Sequence, residues 1–382
     1  MRIVVAPDSY KGSLSAVAVA SAMEQGILSV FPQAEVVKVP IADGGEGTVE
    51  ALVTATHGRI IKQEVTGPLG EPVKAFWGLL GDGETAVIEM AAASGLPLVP
   101  KDRRDPRITT TLGTGQLMKA ALDQGIRKFI IGIGGSATND GGVGMAQALG
   151  AKFRDAAGQE IKPGGAALAE LAVIDLAGLD ARLLETTIMV ACDVDNPLCG
   201  PRGASAVYGP QKGATPEMVA ELDSALQQFA TVAQTATGKN VAELPGAGAA
   251  GGLGAGLLFF TNAQLRPGVE IVLETTSFAE LVKEASLVIT GEGNTDFQTA
   301  FGKAPVGVAK IAQQFNVPTV CLSGGLGKDH EHVLQHGING VMSILPHPMS
   351  LEDCLASAAT LVQSATARLC RLLHIGSKLN GR

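Results

Sequence analysis

The sequence predicts an α/β fold of two domains: a doubly wound parallel sheet assembled from both chain ends, and a second α/β domain inserted between them. Three observations carry this. Apolar strand-like runs alternate with helical patterns, as in βα units. That rhythm breaks into shorter strands and turns at 66–90 and again at 155–185. Polar, glycine-rich turns follow the apolar runs immediately. The expected boundaries are 1–70 with 266–382 for the first domain and 71–265 for the second.

The elements follow in order. RIVVA (2–6) is a buried-type strand, and 15–30 has helical periodicity. EVVKV (35–39) is the second strand, and ADGGEG leads into a helix at 48–56. TGPLGEPV, AFWGLL and TAVIEM are the shorter strands and turns of 66–90. KFIIGI (128–133) runs into GGSATNDGG and a helix at 142–149. KPGGAALAEL opens the second irregular stretch, and TTIMVA (186–191) is a strand that leads into CDVDNP. LVIT (287–290) leads into a turn, GEGNTD; VPTVCLS (317–323) and GVMSIL (340–345) are further strands, and one helix, 350–373, closes the chain.

Composition narrows the function. Of 382 residues, 46% are hydrophobic and 17% charged, which fills a core and excludes a disordered chain. Aromatics are scarce at 4%, so Ala, Val, Leu and Ile must form that core, while 49 glycines mark many turns. The net charge of −8 and the absence of a basic run argue against nucleic acid as a partner. No apolar run is long enough for a membrane span, and the opening MRIVVAPDSYKGS reads as a strand and loop, with no signal peptide. The five cysteines form no C-x-x-C pair, consistent with free thiols in the cytoplasm.

In open α/β sheets ligands bind beyond the carboxyl ends of the strands. Five turns with acids and glycines occupy such positions, and a single crevice, or its two walls, is where they are expected to face. In PDSYKGS, Ser9 and Lys11 precede a helix whose free N–H groups suit an anion. In ADGGEG, Gly44 and Gly45 allow close backbone approach, and Asp43 and Glu46 suit magnesium or substrate hydroxyls. GGSATNDGG offers Gly134, Gly135, Ser136, Thr138, Asn139 and Asp140 for a polyphosphate or carboxylate. CDVDNP contributes Asp193, Asp195 and Asn196, but an EF-hand loop fails at Pro197 and Ala204. GEGNTDFQTAFGK holds Glu292, Asp296 and Lys303. It is not a P-loop, because Gly293 and Gly302 are too far apart and Ala304 stands where Ser or Thr is needed.

Two tempting patterns carry less. The G-x-G-x-x-G at Gly246, Gly248 and Gly251 follows no convincing strand and reads as a mobile loop or close helix packing. HEHVLQH (330–336) lacks H-E-x-x-H and reads as a solvated helix start, with His332 and His336 on one face. No G-x-S-x-G elbow supports a hydrolase.

Taken together, APDSYKGS, PIADGGEGTVEAL, GIGGSATNDGGVGMAQALGA, ACDVDNPLCGPRGAS, GPQKGA, GAAGGLGAGL and TGEGNTDFQTAFGKAPVGVA resemble, in order and over nearly the whole chain, the bacterial type I glycerate kinases. Asn294 and Phe297 depart from residues often found in that last stretch, but Glu292, Asp296 and Gln298 are in place. The resemblance implies an ATP-dependent kinase of D-glycerate that forms 2-phosphoglycerate with magnesium. It also implies a Rossmann-like domain made from both chain ends and an inserted domain.

Roles within the site follow from residue chemistry. Asp296, ahead of Asp193, is the expected base at the glycerate hydroxyl, and Lys303 the counter-charge on the transferred group. Asp43 is the expected magnesium ligand. Ser9, Lys11, Gly134, Gly135, Ser136, Asn139 and Glu292 are the expected nucleotide- and anion-binding residues. The alternatives are a 3-phosphoglycerate-forming kinase, a dinucleotide-dependent oxidoreductase and a non-catalytic binding protein for nucleotides or small acids. Assembly as a homo-oligomer is left open.

Overall fold

The computed structural model describes residues 1–379. Its strands, in chain order, are β1 (Arg2–Pro7), β2 (Glu35–Lys38), β3 (Arg59–Thr66), β4 (Pro72–Leu79), β5 (Thr85–Glu89), β6 (Lys128–Gly132), β7 (Lys152–Arg154), β8 (Val173–Asp175), β9 (Thr187–Ala191), β10 (Ala263–Arg266), β11 (Leu287–Thr295), β12 (Thr319–Leu326) and β13 (Gly340–Ser343). The chain divides into two compact units. The first comprises Met1–Asp43, Glu50–His57 and the chain from Val269 onward; the second comprises Gly44–Val49 and Gly58–Gly268.

The first unit is a five-stranded parallel sheet in the order β13-β12-β11-β1-β2. From β1 the chain steps outward to β2, and from β11 it steps the other way to β12 and β13. The order therefore reverses between β1 and β11, and the carboxyl ends at such a reversal are where open sheets leave room for a ligand. Ser15 caps helix Ala16–Leu28 by accepting from the Ala18 N–H at 3.3 Å. That helix buries Val19, Met23 and Ile27 with Ile3 and Val5 of β1 and with Leu361, Val362 and Leu369 of helix Ala358–Leu379. Gly26 lets the two helices meet, since a Cβ there would lie 2.5 Å from the Gln363 carbonyl oxygen.

Three expectations change in this unit. GEGNTD is not a turn up to its end, because β11 continues through Thr295, paired with β12 as far as Leu326. Glycine makes that possible: a Cβ on Gly291 would sit 2.0 Å from the Leu322 carbonyl oxygen, and one on Gly324 2.4 Å from that of Gly293. The closing helix is two, Leu351–Ala356 and Ala358–Leu379, broken at Ser357. HEHVLQH is a 3-10 helix, His330–His336, and at three residues per turn His332 and His336 do not share a face.

The second unit has a six-stranded sheet in the order β10-β9-β6-β5-β4-β3. β5, β6, β9 and β10 are parallel, whereas β3, β4 and β5 are joined antiparallel. β7 and β8 form a separate small antiparallel pair. β3 pairs with β4 along its length, which is why this unit takes the chain from Gly58. One core gathers Trp77, Ile88, Phe129 and Leu253; a second gathers Phe153, Phe229, Phe259 and Phe260. Edge-on ring contacts join Phe153 to Phe260 and Phe229 to Phe259.

The G-x-G-x-x-G stretch is a packing feature. Ala250, Gly251 and Gly252 hold left-handed backbone at the start of helix Ala249–Phe260, and a Cβ on Gly251 would fall 1.9 Å from the Thr138 carbonyl oxygen. The glycines let this segment press against the 138–142 loop.

Candidate active site

In the first unit the turn after β1 meets the strands β11 and β12 at the strand-order reversal. The Asp8 N–H donates to the Gly291 carbonyl at 2.8 Å, and the buried Tyr10 hydroxyl donates to the Leu322 carbonyl at 2.8 Å. Lys11 Nζ pairs with Asp43 Oδ2 at 3.1 Å. Burial, with the Asp43 charge second, raises the Asp8 carboxyl to about 6. Asp43 in turn raises the Lys11 ammonium. Asp8 does not stand out in the sequence, though it lies in the turn PDSYKGS.

Further along β11, Glu292 is 6% exposed, and Oε1 accepts from Thr295 Oγ1 at 3.2 Å and Thr299 Oγ1 at 2.5 Å. Burial raises its carboxyl. Glu292 therefore anchors the turn Phe297–Phe301 from below. Asp296 caps that turn, accepting from the Gln298 N–H at 2.9 Å and from Asn294 Nδ2 at 3.2 Å. Lys303, exposed at the start of helix Ala304–Gln314, reaches Asp296 Oδ1 at 3.8 Å. Ser9, Lys11, Asp43, Glu292, Asp296 and Lys303 thus all lie in this unit.

In the second unit three further turns pack together. Gly44, at φ +87°, sits against Ala191, and Gly132 and Gly134 leave the space that Gly44 and Gly45 fill. The buried Glu89 carboxylate, at the end of β5, accepts the Val49 N–H at 2.7 Å and so holds the start of helix Thr48–Thr56. Asp140 is buried, and its carboxylate accepts from Thr111 N–H and Oγ1 and from the Gly142 and Gly144 N–H groups. Asn139 is also buried and donates to Ser205 Oγ at 3.0 Å. Asp193 is exposed, and Oδ1 accepts from the Gly268 N–H at 2.9 Å at the head of helix Gly268–Thr275.

Lys212 is the residue that sequence reasoning missed most completely. It ends the short 3-10 turn Pro210–Lys212, is 1% exposed, and donates from Nζ to Ser136 Oγ at 2.7 Å and to the Thr138 carbonyl at 2.6 Å. Burial lowers its ammonium to about 7. A lysine in a polar glycine turn reads as solvated, so only its burial reveals it.

The donor sets have clear chemistry. Among the described residues no group of three or more His, Cys, Asp or Glu is placed to hold a metal. Magnesium bound with a nucleotide takes one or two carboxylates, the remaining positions going to phosphate oxygens and water. Asp8 and Asp43, hard oxygen donors within electrostatic reach of each other, fit that requirement. Lys11, Lys303 and Lys212 supply positive charge for anionic groups.

Known proteins resemble this chain from end to end. Residues 3–374 match the model of the Glycerate kinase family. The chain is 57% identical over 368 residues to a glycerate kinase of Bacillus subtilis (strain 168), covering 96% of each chain. It is 51% identical over 381 residues to the glycerate 2-kinase of Escherichia coli (strain K12), covering 100% of each. A crystal structure from Salmonella typhimurium LT2, provisionally assigned as glycerate kinase 2, is 53% identical and superposes with a TM-score of 0.90 over 99% of both chains.

Proposed function

The chain belongs to the glycerate kinase family, and from that premise we propose that it transfers the γ-phosphoryl group of ATP to the 2-hydroxyl of D-glycerate, giving 2-phosphoglycerate and ADP. The observation that carries this is the end-to-end match to a glycerate 2-kinase.

Phosphoryl transfer asks a protein for positioning and charge neutralisation more than for covalent help. Magnesium, when bound with ATP, spreads the charge of the phosphates. Asp8 and Asp43 are the residues that would hold it, and Lys11, paired with Asp43, would steer a phosphate oxygen. The exposed Gly135, beside Ser136, allows close approach of an anion. Lys303 offsets charge on the transferred group. Asp296, with Asp193 as the alternative, takes the proton of the attacking hydroxyl. A cytoplasmic setting is supported by five free cysteines; among the described residues no helix is long and apolar enough to cross a membrane.

The test is a coupled ADP-release assay with D-glycerate, with NMR of the product to distinguish position 2 from position 3. Asp296→Asn keeps an acceptor for the Gln298 N–H, presents to Asn294 an NH2 that its amide oxygen can accept once flipped, and removes the base. It is expected to fold normally and lose about 10²–10⁴ in kcat. If Asp296→Asn turns over near wild type while Asp193→Asn does not, the base is Asp193.

A further inference from the structure

The buried Lys212 ammonium makes no ion pair among the described residues. The acid whose charge acts on it, Asp140, already accepts four hydrogen bonds. A buried charge without a partner is costly, and an anion that completes the site removes that cost. The neighbouring loop is incomplete in the same sense: Thr138 Oγ1 and Asn139 Oδ1 are buried without hydrogen-bond partners.

The direction of the Lys212–Ser136 hydrogen bond adds the chemistry. An ammonium has three donors and no acceptor. Ser136 Oγ must therefore accept from it, which leaves the hydroxyl proton to donate elsewhere. Ser136 Oγ has no other partner among the described residues, and the residue is 7% exposed, beside the exposed Gly135. We propose that Lys212 is the positioning residue of an anion site at Ser136, orienting the Ser136 hydroxyl as a donor to a carboxylate or phosphate oxygen of the substrates. The inference rests on the kinase reading above and gives one of its loops a specific task.

The charged group acting on Lys212 is Asp140, on the loop that carries Ser136, and Arg104 lies against the turn on either side of Lys212. A Cβ on Gly213 would lie 2.4 Å from the Arg104 carbonyl oxygen, and Arg104 Nη1 donates to the Gln211 carbonyl at 3.4 Å. Because burial lowers the Lys212 ammonium to about 7, the free enzyme loses the orienting proton as pH rises through neutrality. Bound anion restores it. kcat/KM, which reports the free enzyme, should therefore fall above neutrality more steeply than kcat.

The experiment measures kcat and KM for D-glycerate and for ATP, from pH 6 to 9, in wild type, Ser136→Ala, Lys212→Met, Lys212→Arg and the Ser136→Ala/Lys212→Met double variant. Ser136→Ala and Lys212→Met are each expected to lower kcat/KM about 10- to 100-fold at pH 6.5, the size of a hydrogen bond to a charged group. The double variant should be little worse than either single. The alkaline fall should vanish in Ser136→Ala, and in Lys212→Arg if the guanidinium, which stays charged, is accommodated. A KM rise confined to D-glycerate assigns the carboxylate, and one confined to ATP assigns a phosphate. If Ser136→Ala keeps the wild-type alkaline fall, or the two single losses multiply, the positioning role is wrong while the kinase reading stands. If wild type does not turn over D-glycerate, the kinase reading falls and takes this inference with it.

Discussion

A carboxyl group that keeps its proton to about pH 6 must release it before it can take a divalent cation. Asp8 is in that position, raised by burial and by Asp43, and the sign of the consequence is fixed. Below about pH 6 the free carboxyl is protonated, so the apparent affinity for magnesium should drop by up to about tenfold per pH unit. Calorimetric titration of Mg2+ into the ADP-bound protein between pH 5 and 7 reads this directly. Asp8→Asn should bind more weakly with little pH dependence, and wild-type affinity and slope in that variant would remove Asp8 from the metal. Neither Asp8 nor Lys212 stands out in the sequence. What singles out Asp8 is its burial and then a neighbour, Asp43, brought in by the step from β1 to β2, and what singles out Lys212 is the loss of its water. Both are tertiary properties, which residue type and local spacing do not encode. Asp43, Asp296 and Ser136 stand out as candidates because an acid or hydroxyl soon after an apolar strand sits where an open sheet leaves its ligand crevice.

At the scale of the element, glycine decides where backbones touch. The stretch Gly246–Gly256 looks from its spacing like a nucleotide fingerprint, yet Gly251, at φ +68°, is pressed on the Thr138 carbonyl, and the Gly141 N–H donates to the Gly251 carbonyl at 3.0 Å. Gly251→Ala therefore meets two obstacles, left-handed backbone and a clash with main chain, and should cost roughly 2–5 kcal/mol. Gly158 has the same handedness, φ +81°, but open space around it, so Gly158→Ala should cost only about 1–2 kcal/mol. Denaturant midpoints of the two variants compare the terms, and equal losses would mean the packing argument is wrong. The same physics decides which elements the sequence made legible. The strands themselves were readable wherever a β-branched run ended in a polar turn, as at β1, β6 and β9. The extension of β11 to Thr295 was hidden, since glycines that promote turns in isolation are here what admits β12 alongside. The break at Ser357 was hidden too, because the apolar pattern on either side continues without a proline or glycine to mark it.

For the whole molecule, the consequence of the chain path is that the two units draw on different sequence. The first unit pairs β1 with β11, so its sheet closes only after nearly the whole chain is available; the second is nearly continuous from Gly58 to Gly268. Each has its own buried core: Ile3, Val19, Met23 and Val362 in the first, and Trp77, Ile88, Phe129 and Leu253 in the second. Damage inside one core should therefore remain there, as expected of multi-domain chains. Gly26 allows a sharp test. A Cβ at this position would lie 2.5 Å from the Gln363 carbonyl oxygen and 2.7 Å from Thr366 Cβ, so Gly26→Leu drives helix Ala16–Leu28 away from helix Ala358–Leu379 and should cost about 1–3 kcal/mol or more. Hydrogen exchange followed by mass spectrometry should then show faster exchange in peptides of β1, β11 and β12, with β6 and β9 at wild-type protection. Equal loss of protection in both sets would mean that the two cores unfold as one cooperative unit despite sharing none of these side chains.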